Sequence, residues 1–360
     1  MAEAKIITTL EEFEAERRKG IGTVLPPTGV FREASLDNIR SFTDGVGDYN
    51  PLWRDEEYAK KSRFGMITAS PDWVYSPSIG AGVAGNGTIP RERTSNKYFP
   101  INYAGGEMEW FRPIWVGDKI YVKETVGDVQ NKMSQRLGPI LLCSGLTQFY
   151  NQRQELVATL NAIVAKYLNI GKAITYDRTP KGKVAQEPPD PLVWERTRRG
   201  ARTRYWEDVK EGEELPTLKK GTFTEKEVFF WFLVCKGHGA NRSRREETEG
   251  TTYLATGHLD HKYSVERRNM PGMFADGPHT SCWLMQMATD WMGDDGTLKK
   301  FRFTVRHPNV VGDVNTVYGK VTRKYVENGE HLVDLEVSNV NQAELPTTFG
   351  SATVILPSKS

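Results

Sequence analysis

Cysteine is scarce and scattered. Cys143, Cys235 and Cys282 are the only three in 360 residues, with no Cys-x-x-Cys spacing. An odd, dispersed set argues against a disulfide framework or a structural zinc site, and for a reducing compartment. Long apolar runs are absent as well; none approaches the roughly 20 residues that span a bilayer. The opening MAEAKIITTLEEFEAERRKG mixes acids and bases without an apolar stretch, so no secretory signal is expected. Charge of one sign is not in excess: the net charge of +2 gives no global drive toward nucleic acid or anionic lipid. These absences predict a soluble cytoplasmic protein that binds neither nucleic acid nor membrane. Histidine is missing from the first 237 residues; all six lie at or beyond His238.

What is present fits two cores. At 360 residues the chain exceeds a typical domain, and 38% hydrophobic residues suffice to fill two. The halves also echo each other. Phe111-Arg-Pro-Ile-Trp-Val-Gly117-Asp118 recurs as Val305-Arg-His-Pro-Asn-Val-Val-Gly312-Asp313, each with a Pro four residues before Gly-Asp. Leu25-Pro26 before Phe31 parallels Leu215-Pro216 before Phe223. Between these anchors, Arg54-Asp55 to Tyr58 with Phe64-Gly65-Met66 parallels Leu259-Asp260 to Tyr263 with Pro271-Gly272-Met273. Four anchors in one order indicate duplication.

Local patterns are the same in kind. Ser35 caps a short amphipathic helix through Leu36, Ile39 and Phe42. Thr224 to Glu227 is a capping box opening onto Val228, Phe229, Phe232 and Leu233. A helix from about Thr280 to Trp291, apolar nearly all round, must be buried. Alternating strands close each half. Helix first, then consecutive strands, reads as an α+β fold, an antiparallel sheet wrapped round a helix. The expected organisation is an N-terminal helix over 1–20, one unit over 21–170, a Pro- and basic-rich linker over 171–204 and a second unit over 205–360.

Gly47-Asp48-Tyr49-Asn50-Pro51-Leu52-Trp53-Arg54-Asp55 resembles the MaoC-like enoyl-CoA hydratase/dehydratase motif: Gly-Asp-x-Asn-Pro, an aliphatic, then His. The resemblance extends to the Pro-x-x-x-Gly-Asp strand entries and the Gly105-to-Phe111 run. It implies a tandem, double hot-dog chain with a fatty-acid-synthase-like dehydratase N-terminal domain. In that family the Asp and His hold the water that adds across a trans-2-enoyl thioester, and the Asn supports them. The implied reaction is reversible hydration of a 2-enoyl-CoA to a 3-hydroxyacyl-CoA, with no metal or redox cofactor and the CoA thioester as substrate. Hot-dog units pair, which implies a homodimer or a heteromeric partner. The many aromatics are compatible with a bulky or aromatic acyl group.

Here the motif is split. The first half keeps Asp48 and Asn50 but has Trp53 at the histidine position. In the second half His258 occupies that position, and an insertion of about a dozen residues (about Ser243 to Ala255) displaces the preceding stretch. Gly237-His238-Gly239-Ala240-Asn241 is its remnant, without the Asp. Hydration needs a base for water, an acid for the α-carbon and a donor for the growing enolate oxygen. The family resemblance places that donor at the backbone N–H of Gly277, at a helix start, where negative charge is favoured. Three readings stay open. His258 works with His238, Asn241 or Asp260; or Asp48 and Asn50 work with a histidine from the other half or another subunit; or the chain is a degenerate subunit that binds acyl-CoA without turnover. A thioesterase on the same fold is a further alternative.

His279, beside Gly277, either faces the pocket or packs internally, whereas His261, His307 and His331 read as surface residues. Arg242 and Arg245, like Arg196 to Arg202, are either solvated surface or docking points for CoA phosphates. Gly80-Ala-Gly82-Val-Ala-Gly85 matches a dinucleotide fingerprint, but Ser76-Pro77-Ser78 before it and Asn86 to Pro90 after it supply no strand-helix context. It reads as a loop bordering the acyl pocket.

Overall fold

The structure, a computed structural model, describes residues 6–26, 32–77, 82–90, 93–94, 99–169, 171–181, 202–235, 246–248, 251–253 and 257–359. The first unit begins with α1 (Leu10–Lys19), then β1 (Arg32–Glu33), α2 (Leu36–Val46) and α3 (Glu56–Lys60). One helical turn, α4 (Gly82–Gly85), precedes the long strands β2 (Ile101–Trp110), β3 (Lys119–Ser134), β4 (Gly138–Tyr150) and β5 (Leu156–Tyr167). The second unit repeats the plan with β6 (Leu218–Thr222) and α5 (Glu225–Phe230). The small hairpin β7 (Glu246–Thr248) and β8 (Thr251–Tyr253) follows, with α6 (His261–Arg268) and α7 (Gly277–Met292). Strands β9 (Thr297–Val305), β10 (Val314–Glu327), β11 (Glu330–Val340) and β12 (Pro346–Ile355) complete it. Ser35 caps α2 and Thr224 forms the capping box of α5, as their sequences predict.

Ten strands form one antiparallel sheet in the order β1-β3-β4-β5-β2-β9-β12-β11-β10-β6. The units join edge to edge where β2 pairs β9, with Glu107 opposite Arg302. Gly105 is required at this seam, because a Cβ there would lie 2.2 Å from Phe303 O. The two units thus pair within the chain.

Hydrogen bonds reveal the duplication atom by atom. Asp118 Oδ2 accepts from Trp115 N at 3.0 Å, and Asp313 Oδ2 accepts from Val310 N at 2.8 Å. Ala34 N donates to Asp118 O, and Phe223 N to Asp313 O, both at 2.8 Å. Asp55 and Asp260 cap α3 and α6 through Tyr58 N and Tyr263 N. The repeated Gly-Asp therefore marks one strand-entry turn used twice.

The units differ in what their sheets enclose. The second wraps around α7, in which only Asp290 is not buried. Its apolar girth explains this, since the sheet covers it on one side and the first unit on the other. In the first unit the described parts of the corresponding segment are a 3-10 turn, Pro71–Tyr75, and α4. The Gly82–Gly85 stretch is a helical turn packed on β4, where a Cβ on Gly145 would strike Val83 and Ala84. It borders neither large cavity. The described start of the linker does not hang loose: Ile174 N donates to Asn269 O, and Tyr176 and Arg178 bind Asp313.

Candidate active site

The first unit's motif folds into a closed turn. Gly47 ends α2 at φ +74°, a conformation that suits glycine. Asp48, buried, then accepts from Asn50 N at 3.0 Å through Oδ1 and from the Trp53 indole at 3.1 Å through Oδ2. Asn50 in turn accepts from Leu52 N at 2.8 Å. The reading in which Asp48 and Asn50 act with a histidine of the other unit is not realised among the described residues: the indole of Trp53 occupies that place.

Matching caps equate Trp53 with His258, five residues beyond Asp48 and two before the capping Asp in each unit. His258 is half-buried between the rings of Phe232 and Phe274, at 4.7 and 4.3 Å. Its Nδ1 lies 2.8 Å from Phe274 O. A carbonyl only accepts, so Nδ1 carries the proton and Nε2 is the basic nitrogen of the neutral ring.

The second match concerns the helix start. Ala69 N donates to Ile114 O and Ala275 N to Asn309 O, so two residues onward Pro71 corresponds to Gly277. Gly277 opens α7, whose N-cap Asp276 makes no side-chain cap bond, with Pro278 next. The first-turn N–H groups of a helix have no intrahelical acceptor, and the dipole adds partial positive charge there. Pro71 has no N–H to offer. Both features that could serve an enolate, a basic imidazole and an amide at a helix start, are kept in the second unit and lost in the first.

His258 and Gly277 line one cavity of about 430 Å³. Tyr103, Ile140, Leu142, Met270 and Phe274 give it apolar walls, so the first unit's β2 and β4 complete the second unit's site. Asp276 is its only carboxylate among the described lining residues, and its Oδ2 accepts from Trp231 Nε1 at 3.3 Å. Lys172, Arg136, Arg306 and His307 lie at the same cavity. Arg136 Nη1 is 3.0 Å from His307 Nδ1; burial and then the two arginines push the His307 pKa down to about 4.

Other sequence candidates lie elsewhere. His279 is buried, stacked on Trp231 at 4.6 Å with Nε2 3.2 Å from Gly45 O. Its pKa is pushed down to about 3 by burial and next by Lys220. It packs between the units and borders neither large cavity, because the helix turns it away from Gly277. Asp260 is spent as the cap of α6. His307, read as a surface residue, borders the cavity instead. His238, Asn241, Arg242 and Arg245 lie outside the described residues. The sequence reading missed Tyr103, Arg136 and Asp276; Asp276 was visible in the Ala275-Asp276-Gly277-Pro278 run, but the strand residues become neighbours only through the β2–β9 seam.

Against the middle of α7 sits a half-buried amine. Lys220 Nζ donates to Val46 O at 2.6 Å and Gln286 Oε1 at 2.8 Å. Burial lowers its pKa to about 8, against the upward pull of Asp48. Asp72, also buried, is raised to about 7 chiefly by desolvation.

Comparison with known proteins agrees with this architecture. Residues 21–160 match the family model described as FAS1-like, dehydratase domain region. A UPF0336 protein of Streptomyces avermitilis is 27% identical over 111 residues, 31% of this chain and 71% of that one. A MaoC-like dehydratase structure superposes with a TM-score of 0.68 at 16% identity, covering 95% of this chain and 100% of that one. A putative MaoC domain dehydratase from Chloroflexus aurantiacus gives 0.61 at 12%, covering 94% and 96%. A conserved hypothetical protein of Mycobacterium tuberculosis, described as having a double hot-dog fold, gives 0.59 at 13%, covering 93% and 96%. The chain has the double hot-dog fold seen in MaoC-like dehydratase structures, and its first unit resembles the FAS1-like dehydratase region.

Proposed function

We propose that the chain hydrates a 2-enoyl-CoA, or dehydrates the 3-hydroxyacyl-CoA, in the cavity of the second unit. The observation that carries this reading is the pairing of His258, with Nδ1–H fixed on Phe274 O, and the Gly277 N–H in one cavity. The same two positions are Trp53 and Pro71 in the first unit.

In the hydration direction, His258 Nε2 takes a proton from water as the water oxygen bonds to C3. The C2=C3 electron pair shifts toward the thioester, and the resulting enolate oxygen accepts from Gly277 N–H. A proton then returns to C2, collapsing the enolate to the 3-hydroxyacyl thioester. Asp276, which lines the same cavity, orients the water in this reading, the role the motif otherwise gives to an aspartate five residues upstream. His238 and Asn241 stay candidates for the same duty. An oriented base contributes on the order of 10²–10⁴ in rate, and a preorganised oxyanion donor about 10²–10³.

The acyl group lies against Tyr103, Ile140, Leu142 and Phe274, surfaces that suit a bulky or aromatic chain as well as a short one. Arg136, Arg306 and Lys172, all exposed at the cavity, take the CoA phosphates. Incubation of the protein with crotonyl-CoA and with cinnamoyl-CoA, followed by mass spectrometry, tests the reaction. The expected product is the thioester plus one water. Release of CoA thiol with the double bond intact would make the chain a thioesterase, and intact substrate would leave it a binding subunit.

A further inference from the structure

The first unit lost the catalytic groups but kept the cavity. A space of about 590 Å³ lies beside Asn50 and beside Trp53, Ser70 and Pro71, the pseudo-symmetric counterparts of His258, Asp276 and Gly277. Both volumes fall in the range of about 300–1,000 Å³ used for small-molecule binding. No described lining residue is shared between the two. They stand at opposite ends of α7: the active-site cavity at Gly277 and Pro278, the second at Thr289, Met292 and Gly293. At 1.5 Å per residue these ends are about 20 Å apart.

The wall tells what fits. Phe64, Trp110, Phe111, Leu52, Leu298 and the Trp53 ring give aromatic and aliphatic faces. Trp53 is held rigid by its bond to Asp48. Phe111, 49% exposed, stands at the opening. The charged groups around it have protein partners: Arg112 with Glu155, Lys299 with Glu330, Glu109 with Lys300, Asp294 with the Tyr58 hydroxyl, and Arg63 with Asp294 O, Gly296 O and Thr297 while stacked 4.3 Å above Phe64. Their charge is therefore directed at the protein. The α7 C-terminus at this end disfavours an anion, the reverse of the helix start in the active-site cavity.

We infer that the first unit's cavity is a second, non-catalytic binding site for a neutral molecule bearing an aromatic ring. It holds the ligand by ring contacts and apolar burial, without chemistry, since neither Trp53 nor Pro71 can assist a thioester. Binding there is independent of CoA.

Titration calorimetry of the full chain with cinnamamide, a neutral aromatic acyl mimic without a thioester, tests this. The expected result is saturable binding that His258→Ala leaves unchanged and that excess CoA does not displace. Phe111→Ala, which removes a ring at the opening, and Ile355→Trp, which fills the floor, each weaken it about tenfold or more, with unaltered melting temperatures showing intact folds. No binding up to the solubility limit overturns the inference. Binding that CoA displaces, or that both cavity variants leave unchanged, also overturns it by placing the probe elsewhere. None of these outcomes depends on whether enoyl thioesters are hydrated.

Discussion

The indole N–H of Trp53 donates to Asp48 Oδ2 at 3.1 Å, turning the one intact Asp-Asn pair of the chain into a structural clasp. Asp48 is only 4% exposed, and its other oxygen already accepts from Asn50 N. Trp53→Phe removes a donor from a buried carboxylate. We predict a loss of about 1–3 kcal/mol of stability in denaturant titration, with turnover at the second unit retained. Undiminished stability would show that the clasp is not needed.

Gly277 sits against the first unit. A Cβ there would come within 2.7 Å of Tyr103 Cβ, so Gly277→Ala forces α7 and β2 apart just where the amide must meet the enolate. The expected outcome is a fall in kcat of about tenfold or more with little change in KM, because the lost interaction belongs to the transition state. A changed KM with kcat intact would assign the site to binding alone.

If Arg136 meets CoA phosphates, Arg136→Ala raises KM for crotonyl-CoA and weakens its dependence on salt. Crotonyl-pantetheine, which lacks those phosphates, then reacts equally well with wild type and variant. An equal penalty on both substrates would mean that Arg136 acts only through its contacts with His307 and Arg306.

Two buried groups tilt stability in opposite directions with pH. His279, with its pKa lowered from 6.5 to about 3, is protonated more readily in the unfolded chain, so its contribution is lost as pH falls from about 6.5 toward 3. Asp72, raised from 3.8 to about 7, binds its proton more readily when folded, so its destabilising effect grows as pH rises from about 4 to 7. Each slope approaches 1.4 kcal/mol per pH unit at most. Relative to wild type, His279→Phe gains stability on going from pH 7.5 to pH 5, and Asp72→Asn loses it. Parallel curves for all three proteins, measured by urea unfolding, would contradict the assignment.

Much of this fold is legible in sequence because the repeated elements are local. Ser35 and Thr224 announce their helices by capping chemistry, and the two Gly-Asp turns recur since each Asp must accept the same backbone N–H. The buried helix α7 is visible from its apolar girth. The site is less so. His258 and Gly277 could be named from the resemblance, but nothing near Tyr103 or Arg136 in the chain signals the cavity, since only the β2–β9 seam carries them to the second unit. His279 shows the converse limit: adjacency to Gly277 in sequence becomes opposition in space, because successive helical residues face different ways.

The central claim is that the second unit is the working half. Steady-state turnover of crotonyl-CoA by wild type, His258→Gln and Asp48→Asn, each checked for folding by circular dichroism, tests it most directly. The account predicts a loss of about 10²-fold or more in kcat/KM for His258→Gln and near wild-type turnover for Asp48→Asn. Loss in Asp48→Asn with full activity in His258→Gln would contradict it and return the chemistry to the first unit.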